Sequence, residues 1–214
     1  MKKEFLSTII CLISLTVFSQ THLYENPRFD EIAKNHKIIG IIPFKVSVTL
    51  RPKQMKDITP EQLDRIEKSE GENIQSAMYS WFLKREKRGS LTVKVQNLST
   101  TNVKLKKAGI TIKNNEEYLP GELAKILEVD AIIMGTFKTN KPMSEAAALT
   151  LGLLVGFYGM TNKAVINLFI YNGIDGELLV NYNKALSGSL SSTEYLINIL
   201  MRKASRRIAY TKNN

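Results

Sequence analysis

LAKILEVDAIIMGTFKT, residues 123–139, is the stretch of sequence that decides the fold. Its first half places apolar side chains at helical spacing, and its second half is a short, unbroken apolar run typical of a buried parallel strand. A second such run lies far upstream, at residues 38–44. We expect the two runs to form neighbouring central strands of one sheet, with helices covering both of its faces.

The segments around these strands predict further elements of both kinds. Alternating apolar and polar residues predict an extended continuation of the first strand over 45–51 and a strand with one exposed face over 91–96. Thr59 followed by Pro60 predicts the start of a long helix that ends near residue 88. Other helices are predicted over 99–107, over 117–128 and after a capping box at 191–194.

The clearest hairpin of the sequence lies in its last third. Two apolar, β-branched runs at 164–171 and 177–186 flank Asn-Gly-Ile-Asp-Gly, whose glycines can adopt the positive φ of a tight turn. The whole pattern predicts a single α/β domain over 38–210, followed by a tail over 211–214. Its sheet is predicted to be mixed, mostly parallel at the centre, with a C-terminal antiparallel hairpin and helices on both faces.

Residues 1–19 have the pattern of a secretory signal peptide, with Lys2 and Lys3 before an apolar segment and Ser19 at the expected cleavage point. The alternative is a membrane anchor, but the 14 apolar residues at 5–18 are fewer than the roughly 20 that span a bilayer. We therefore predict export to the periplasm or the periplasmic face of the outer membrane, with no transmembrane span in the mature chain. Residues 20–37 are predicted to form a flexible leader.

Cysteine and histidine usage predicts that the mature chain has no catalytic residue, metal or cofactor. Cys11 is the only cysteine and lies inside the predicted signal peptide, so disulfides, zinc thiolates and cysteine nucleophiles are excluded. Bulky residues before Cys11 disfavour the alternative of lipid anchoring. His22 and His36 are the only histidines, and we expect both to be solvated in the leader.

A stretch of small and apolar residues precedes the hairpin. Residues 146–160 are uncharged, and Ala148, Gly152 and Gly156 recur at four-residue spacing, which on a helix permits close approach of another surface. The segment is too short to cross a bilayer upright. Three interpretations stay open, namely packing within the domain, self-association and membrane contact.

Basic residues exceed acidic ones, 30 against 20, which gives a net charge of +10. They cluster at 84–88, at 104–107 and in the last helix, where Arg202 and Arg206 are expected on the outer side. One interpretation is a solvated face. The other is a binding surface for an anionic envelope component, such as lipid headgroups or a glycan, because export separates the protein from nucleic acid.

Three motifs in this order resemble the bacterial envelope proteins that include CsgG, LpoB and the amino-terminal domain of TolB. They are a strand that ends at Phe44, a helix-to-strand run that contains Asp130 and Gly135, and a hairpin turn that contains Asp175 and Gly176. The resemblance covers roughly residues 37–208. It implies a non-catalytic α/β domain used in envelope assembly or partner binding.

The sequence therefore predicts a non-enzymatic exported protein that acts as a binding or assembly module, with an envelope protein or a second copy as its partner. We expect Asp130 to orient the entry into its strand and Asp175 to shape its turn. Two alternative functions stay open. One is a subunit of an envelope secretion or transport complex, and the other is an envelope hydrolase that uses neither histidine nor cysteine.

Overall fold

The computed structural model describes residues 21–49, 58–139, 164–186, 193–208 and 210–211. Within these ranges the strands form one mixed sheet in the order β1-β7-β6-β5-β2-β4, and β3 pairs with β5 where β2 ends. The strands are β1 (Thr21–Glu25), β2 (Ile38–Ile41), β3 (Lys45–Val48), β4 (Lys94–Val95), β5 (Ala131–Thr139), β6 (Ala164–Asn172) and β7 (Leu178–Leu186). The helices are α1 (Phe29–Ala33), α2 (Pro60–Lys87), α3 (Leu98–Lys107), α4 (Pro120–Leu127) and α5 (Thr193–Arg207), with a 3-10 turn at Asn115–Glu117.

The predicted fold class is confirmed. Strands β2 and β5 are parallel neighbours at the centre of the sheet, with Ile39 opposite Ala131 and Ile41 opposite Ile133. Strands β5, β6 and β7 continue the sheet in antiparallel fashion, and β1 closes the edge antiparallel to β7. The hairpin between β6 and β7 is the one that the Asn-Gly-Ile-Asp-Gly turn predicts.

Helices pack on both faces of the sheet. Side chains of α2 and α5 are buried with Ile39, Ile41 and Ile133 in a large apolar cluster on one face. A smaller cluster on the other face joins α3 and α4 to Ile42 and Ile132. The alternation of side chains along β2 and β5 therefore supplies both cores, as expected for central strands that are covered on two sides.

Helix α2 begins where the sequence predicts. The side chain of Thr59 accepts a hydrogen bond from the Gln62 amide at 3.3 Å, and the Thr59 amide donates to Gln62 Oε1 at 2.8 Å. This reciprocal cap satisfies two of the amide groups that a helix start leaves without a partner. Pro60 follows the cap at a position where its missing amide proton costs nothing.

Residues 21–33 do not form the flexible leader that the sequence predicts. Strand β1 pairs with β7, and α1 buries Phe29 edge-to-face against Tyr210 at a ring-centroid distance of 5.0 Å. His36 is buried, with Nδ1 2.5 Å from the Tyr210 hydroxyl, so the expectation that it is solvated is also wrong. Both contacts join residues far apart in sequence, which a local pattern does not reveal.

Two other elements differ in length from their predictions. The strand predicted over 91–96 is reduced to Lys94–Val95, because Thr92 donates to the Tyr210 carbonyl at 3.0 Å instead of joining a neighbouring strand. The helix predicted over 117–128 begins at Pro120, after the 3-10 turn. None of the described helices is long and apolar enough to cross a bilayer.

Candidate anion-binding site

A cavity of about 490 Å³ lies where the last turns of α2 and α5 approach strands β7 and β1. Among the described residues, its wall contains six basic side chains and no acidic one. The six are Arg85, Arg88, Lys184, Lys203, Arg206 and Arg207. The remaining wall consists of three hydroxyl residues and Tyr182, so the cavity is suited to an anion.

Helix α2 carries Arg85 into this cavity from its buried face. Met78, Phe82 and Arg85 follow one another at spacings of four and three residues, which places them on the same side of the helix. Arg85 is only 9% exposed, and its buried Nε has no hydrogen-bond partner within the described part of the chain. The Arg85 side chain also lies against the ring of Trp81, with Cζ 6.0 Å from the ring centroid.

Strand β7 carries Lys184 into the same space. Tyr182, Lys184 and Leu186 share the inward side of the strand, and Lys184 is only 5% exposed. Its Nζ donates a hydrogen bond to Oγ1 of Thr21, the residue opposite Lys184 in the register of β1 and β7. This bond uses one of the three protons of the ammonium group.

Helix α5 adds the outer part of the basic wall. Lys203 precedes Arg206 by three residues and Arg207 by four, so the three side chains lie on one side of the last turns. Like charges at these spacings destabilise an isolated helix slightly. The carboxy-terminal end of the helix dipole offsets this repulsion, because Arg206 and Arg207 lie in the last turn.

The pKa shifts of the two buried cations show that positive charge dominates the cavity. The pKa of Arg85 is lowered by burial first, and then by Arg88, Arg206 and Arg202. The pKa of Lys184 is lowered by burial, and then by Lys203 and Arg207. Burial raises the pKa of Tyr182 to about 12, so this side chain adds no negative charge near neutral pH.

Ion pairs of the described residues do not neutralise this charge. They are Arg28–Glu177, Lys45–Glu116, Lys104–Glu128 and Lys113–Asp64, and none of them involves a side chain of the cavity. The carboxy-terminal ends of α2 and α5, with their unpaired backbone carbonyls, contribute about half a negative charge each through the helix dipole. This is small against six cations, and the cavity stays strongly positive.

Among the described residues of the cavity, Ser90 and Lys184 are not paired as nucleophile and base. Ser90 donates its hydroxyl proton to the carbonyl of Arg85 at 3.2 Å, and Lys184 is hydrogen-bonded to Thr21 instead. Among the described residues there is also no group of three or more His, Cys, Asp or Glu side chains that could hold a metal ion. Electrostatic binding is therefore the chemistry that the wall supports best.

A second cavity of about 250 Å³ lies on the opposite face of the sheet, beside Phe169 and Tyr171. These two rings are stacked at a centroid distance of 6.1 Å. The basic side chain of this wall, Lys45, is paired with Glu116. Because its charge is neutralised, this smaller cavity does not share the electrostatic character of the first.

The predicted contact residues have different positions. Arg206 lines the basic cavity, whereas Arg202 is exposed beside it and acts on Arg85 only through its charge. Gly152 and Gly156, together with the whole segment 146–160, lie outside the described residues. The structure thus places one of the four predicted contact residues in the wall of the site.

Phe44 and Gly135 pack directly against each other in the core. Phe44 is fully buried, and a Cβ atom added at Gly135 would lie 2.6 Å from Phe44 Cε1 and 2.3 Å from the Asn167 carbonyl oxygen. Gly71 meets the same residue from α2, since a Cβ there would lie 2.2 Å from the Phe44 carbonyl oxygen. The glycine in the middle of the long helix is therefore required by close approach of the backbone.

Asp130, Asp175 and Gly176 organise the chain around the hairpin. Asp130 Oδ2 accepts hydrogen bonds from the amides of Lys37 at 2.7 Å and Ile38 at 2.9 Å, which fixes the entry into β2. Asp175 Oδ1 accepts from the Asn172 side chain at 2.8 Å and the Glu177 amide at 2.9 Å. Gly176 has a φ of +73°, a conformation that glycine adopts readily.

Sequence reasoning placed Arg85 in the basic cluster at 84–88 but missed its burial, and it missed Lys184 entirely, although each has a local signal. Lys184 occupies an inward position in the alternation of β7, and Arg85 continues the apolar side of α2. A basic residue at a position that the pattern assigns to the core indicates a buried charge. Their convergence with α5 depends on tertiary structure.

Comparison with solved structures finds low similarity over most of the chain. The chain is similar to the PelC dodecamer from Paraburkholderia phytofirmans, at 11% identity and a TM-score of 0.45 over 92% of this chain and 99% of that one. It is similar to lipoprotein GNA1162 from Neisseria meningitidis, at 13% identity and a TM-score of 0.45 over 80% of this chain and 96% of that one. It is also similar to the LpoB C-terminal domain from Salmonella enterica, at 7% identity and a TM-score of 0.34 over 76% of this chain and 94% of that one.

No family model matches the chain, and no curated protein matches it at a significant level. LpoB is also in the group that the sequence motifs resemble, and the resemblance to that group stays a prediction. The three TM-scores lie below 0.5. The functional argument therefore rests on the residues of this chain.

Proposed function

We propose that this protein is a non-enzymatic binding module of the bacterial envelope that holds an anionic ligand in the cavity between α2, α5 and β7. The observation that carries the proposal is the pair of buried cations, Arg85 and Lys184, with no carboxylate beside them in the described part of the chain. Four further cations at the same cavity extend the positive surface outward.

Burying a charge without an opposite charge beside it is unfavourable, because the protein replaces only part of the hydration of that charge. A methionine at position 85 or 184 would fill the same space without this cost. An anion that enters the cavity removes the cost, because it supplies both the opposite charge and acceptors for the free N–H groups. The arrangement thus favours the bound state over the empty one.

The envelope part of the proposal is supported by the signal-peptide pattern and by the motifs that resemble envelope proteins. In that compartment the available anions include lipid headgroups and acidic glycans. The segments outside the described ranges contain three acidic side chains, Glu4, Asp57 and Glu145.

Calorimetric titration of the purified protein with anions tests this function. Sulfate, phosphate and oligogalacturonate at low salt cover compact and polymeric ligands. The variants Arg85→Met and Lys184→Met should each weaken binding of whichever anion binds, by roughly 10- to 150-fold, the value of a charge-assisted hydrogen bond. Far-ultraviolet circular dichroism verifies that both variants fold.

Lys106→Met/Lys107→Met is the matched control, because both lysines are exposed on α3 and do not line the cavity. It removes two positive charges but should leave the affinity nearly unchanged. Equal loss in the control and in the cavity variants would show that binding follows net charge alone. Absence of binding to every anion would contradict the proposed function.

A hydrolase is the second candidate, and the hydrogen bond between Thr21 and Lys184 is the observation that favours it. A hydroxyl beside a lysine with a lowered pKa is one way to activate a nucleophile. Treatment with a fluorophosphonate followed by peptide mass analysis separates the two candidates. Modification of Thr21 that disappears in Lys184→Met would favour the hydrolase, whereas an unmodified Thr21 favours the binding module.

A further inference from the structure

The cations of the cavity are arranged in two tiers of different depth. The inner tier consists of Arg85 and Lys184, which are 9% and 5% exposed. The outer tier contains Lys203, which is half-buried, and Arg88, Arg206 and Arg207, which are exposed. A ligand that satisfies both tiers must present negative charge both at its buried end and nearer the mouth.

Charge balance distinguishes the anionic groups that fit the inner tier. One carboxylate carries a single charge and leaves one of the two inner cations without a partner. One phosphate monoester carries about 1.5 to 2 negative charges at neutral pH, which matches the inner pair. Its three acceptor oxygens also outnumber the two of a carboxylate.

The donors of the inner tier fit such a group as well. The Arg85 guanidinium presents a planar set of N–H groups at the cavity wall, and such a set pairs with phosphate in bidentate fashion. Lys184 retains two ammonium protons after its bond to Thr21. Because the Thr21 hydroxyl accepts that bond, its own proton is left to donate to the ligand.

Cavity size argues against a lone ion. The cavity volume is about 490 Å³. It lies within the range of roughly 300–1,000 Å³ that is usual for small-molecule sites. Tyr182 is the one aromatic side chain in the wall, so the extra space is lined by charge and not by surfaces on which a ring would stack.

We infer that the ligand of this cavity carries two phosphate groups close together, one held by Arg85 and Lys184 and the other by the cations of α5 and Arg88. The inference rests on the proposed function, because it specifies the anion that the same cavity binds. A diphosphate of about three negative charges leaves a positive excess at the mouth, which attracts the ligand from solution. Such a group occurs both in soluble metabolites and in the headgroups of lipid diphosphates.

Titration calorimetry with three probes at equal ionic strength tests the inference. Pyrophosphate should bind about tenfold or more tightly than inorganic phosphate and than trigalacturonate, which carries about the same total charge on carboxylates. Arg85→Met and Lys184→Met should weaken both phosphate probes, and Lys106→Met/Lys107→Met should weaken neither. Arg207→Met should weaken pyrophosphate selectively, because this residue belongs to the outer tier.

Cosedimentation with vesicles separates the two sources of the diphosphate. Binding to phosphatidylcholine vesicles that contain farnesyl diphosphate, and not to vesicles without it, assigns a lipid headgroup. Binding of pyrophosphate without cosedimentation assigns a soluble ligand. Either result supports the inference.

Two outcomes overturn it and are distinguishable. If trigalacturonate binds the cavity as tightly as pyrophosphate, with the same loss in Arg85→Met, the diphosphate is wrong and the anion-binding function stands. If none of the three probes binds, or if Arg85→Met and Lys184→Met leave every affinity unchanged, the inference and the proposed function both fail.

Discussion

Substitution of Gly135 by alanine tests the packing of Phe44 on Gly135, which joins two of the motifs that resemble the envelope proteins. The added Cβ would lie 2.3 Å from the Asn167 carbonyl oxygen and 2.6 Å from Phe44 Cε1. The first atom belongs to the backbone of β6 and the second to a fully buried ring, so neither can move away freely. Overpacking a core typically lowers the free energy of unfolding by about 1–3 kcal/mol. Because these contacts are so short, we expect a loss of about 3 kcal/mol for Gly135→Ala.

Differential scanning calorimetry measures this cost. For a chain of this length, each kcal/mol shifts the thermal midpoint by about 2–4 °C, so Gly135→Ala should lower it by roughly 6–12 °C. Gly40→Ala is the matched control on the adjacent strand β2, since its Cβ would meet Leu127 and Val129 at an ordinary 3.4 Å. Equal midpoints for the two variants would refute the proposed packing of Phe44 on Gly135.

Three further predictions concern charge and hydrogen bonding. Lys184→Met removes a buried cation that has no carboxylate partner among the described residues. Without anions, the free energy of unfolding should therefore increase by about 1 kcal/mol or more, and the thermal midpoint should rise. A lower midpoint would contradict the account. Asp130→Ala leaves two backbone amides without their acceptor. It should reduce the free energy of unfolding, measured in urea, by roughly 1–3 kcal/mol. Asp30→Ala, on the exposed side of α1, should change this free energy little. Burial lowers the pKa of His36 below its usual 6.5. Below pH 6.5 the unfolded chain therefore binds more protons than the folded one. The free energy of unfolding falls as the pH drops from 6.5 toward the folded-state pKa. His36→Phe should flatten this slope in urea titrations at successive pH values, and identical slopes would exclude His36 as its cause.

The parts of the fold that the sequence predicts correctly are those with a local physical signal. The apolar runs of β2 and β5, the cap at Thr59 and the turn between β6 and β7 each depend on side chains within a few residues of one another. Strand β1 has no such signal, because its pairing depends on the free edge of β7. The same reason applies to His36, whose burial depends on Tyr210 at the far end of the chain.

The site was predictable only in part. Clustering of basic residues in the sequence pointed to α5 and to the end of α2, and Arg206 does line the cavity. The pattern alone does not show that these two helix ends converge on β7. Lys184 was overlooked because a lysine in a strand is usually assigned to the exposed side, whereas the alternation with Tyr182 and Leu186 places it inside.

The central claim is that an anion occupies the cavity beside Arg85, and proton–nitrogen NMR of the arginine side chains tests it most directly. Arg85 lines the cavity and its Nε–H is buried without a partner among the described residues, so an anion bound at the guanidinium changes the surroundings of this proton. On titration with pyrophosphate, the account predicts a downfield shift of the Arg85 Nε proton that saturates with the calorimetric affinity, while the exposed Arg65 stays unchanged. An Arg85 Nε resonance that stays in place at saturating pyrophosphate would contradict the account.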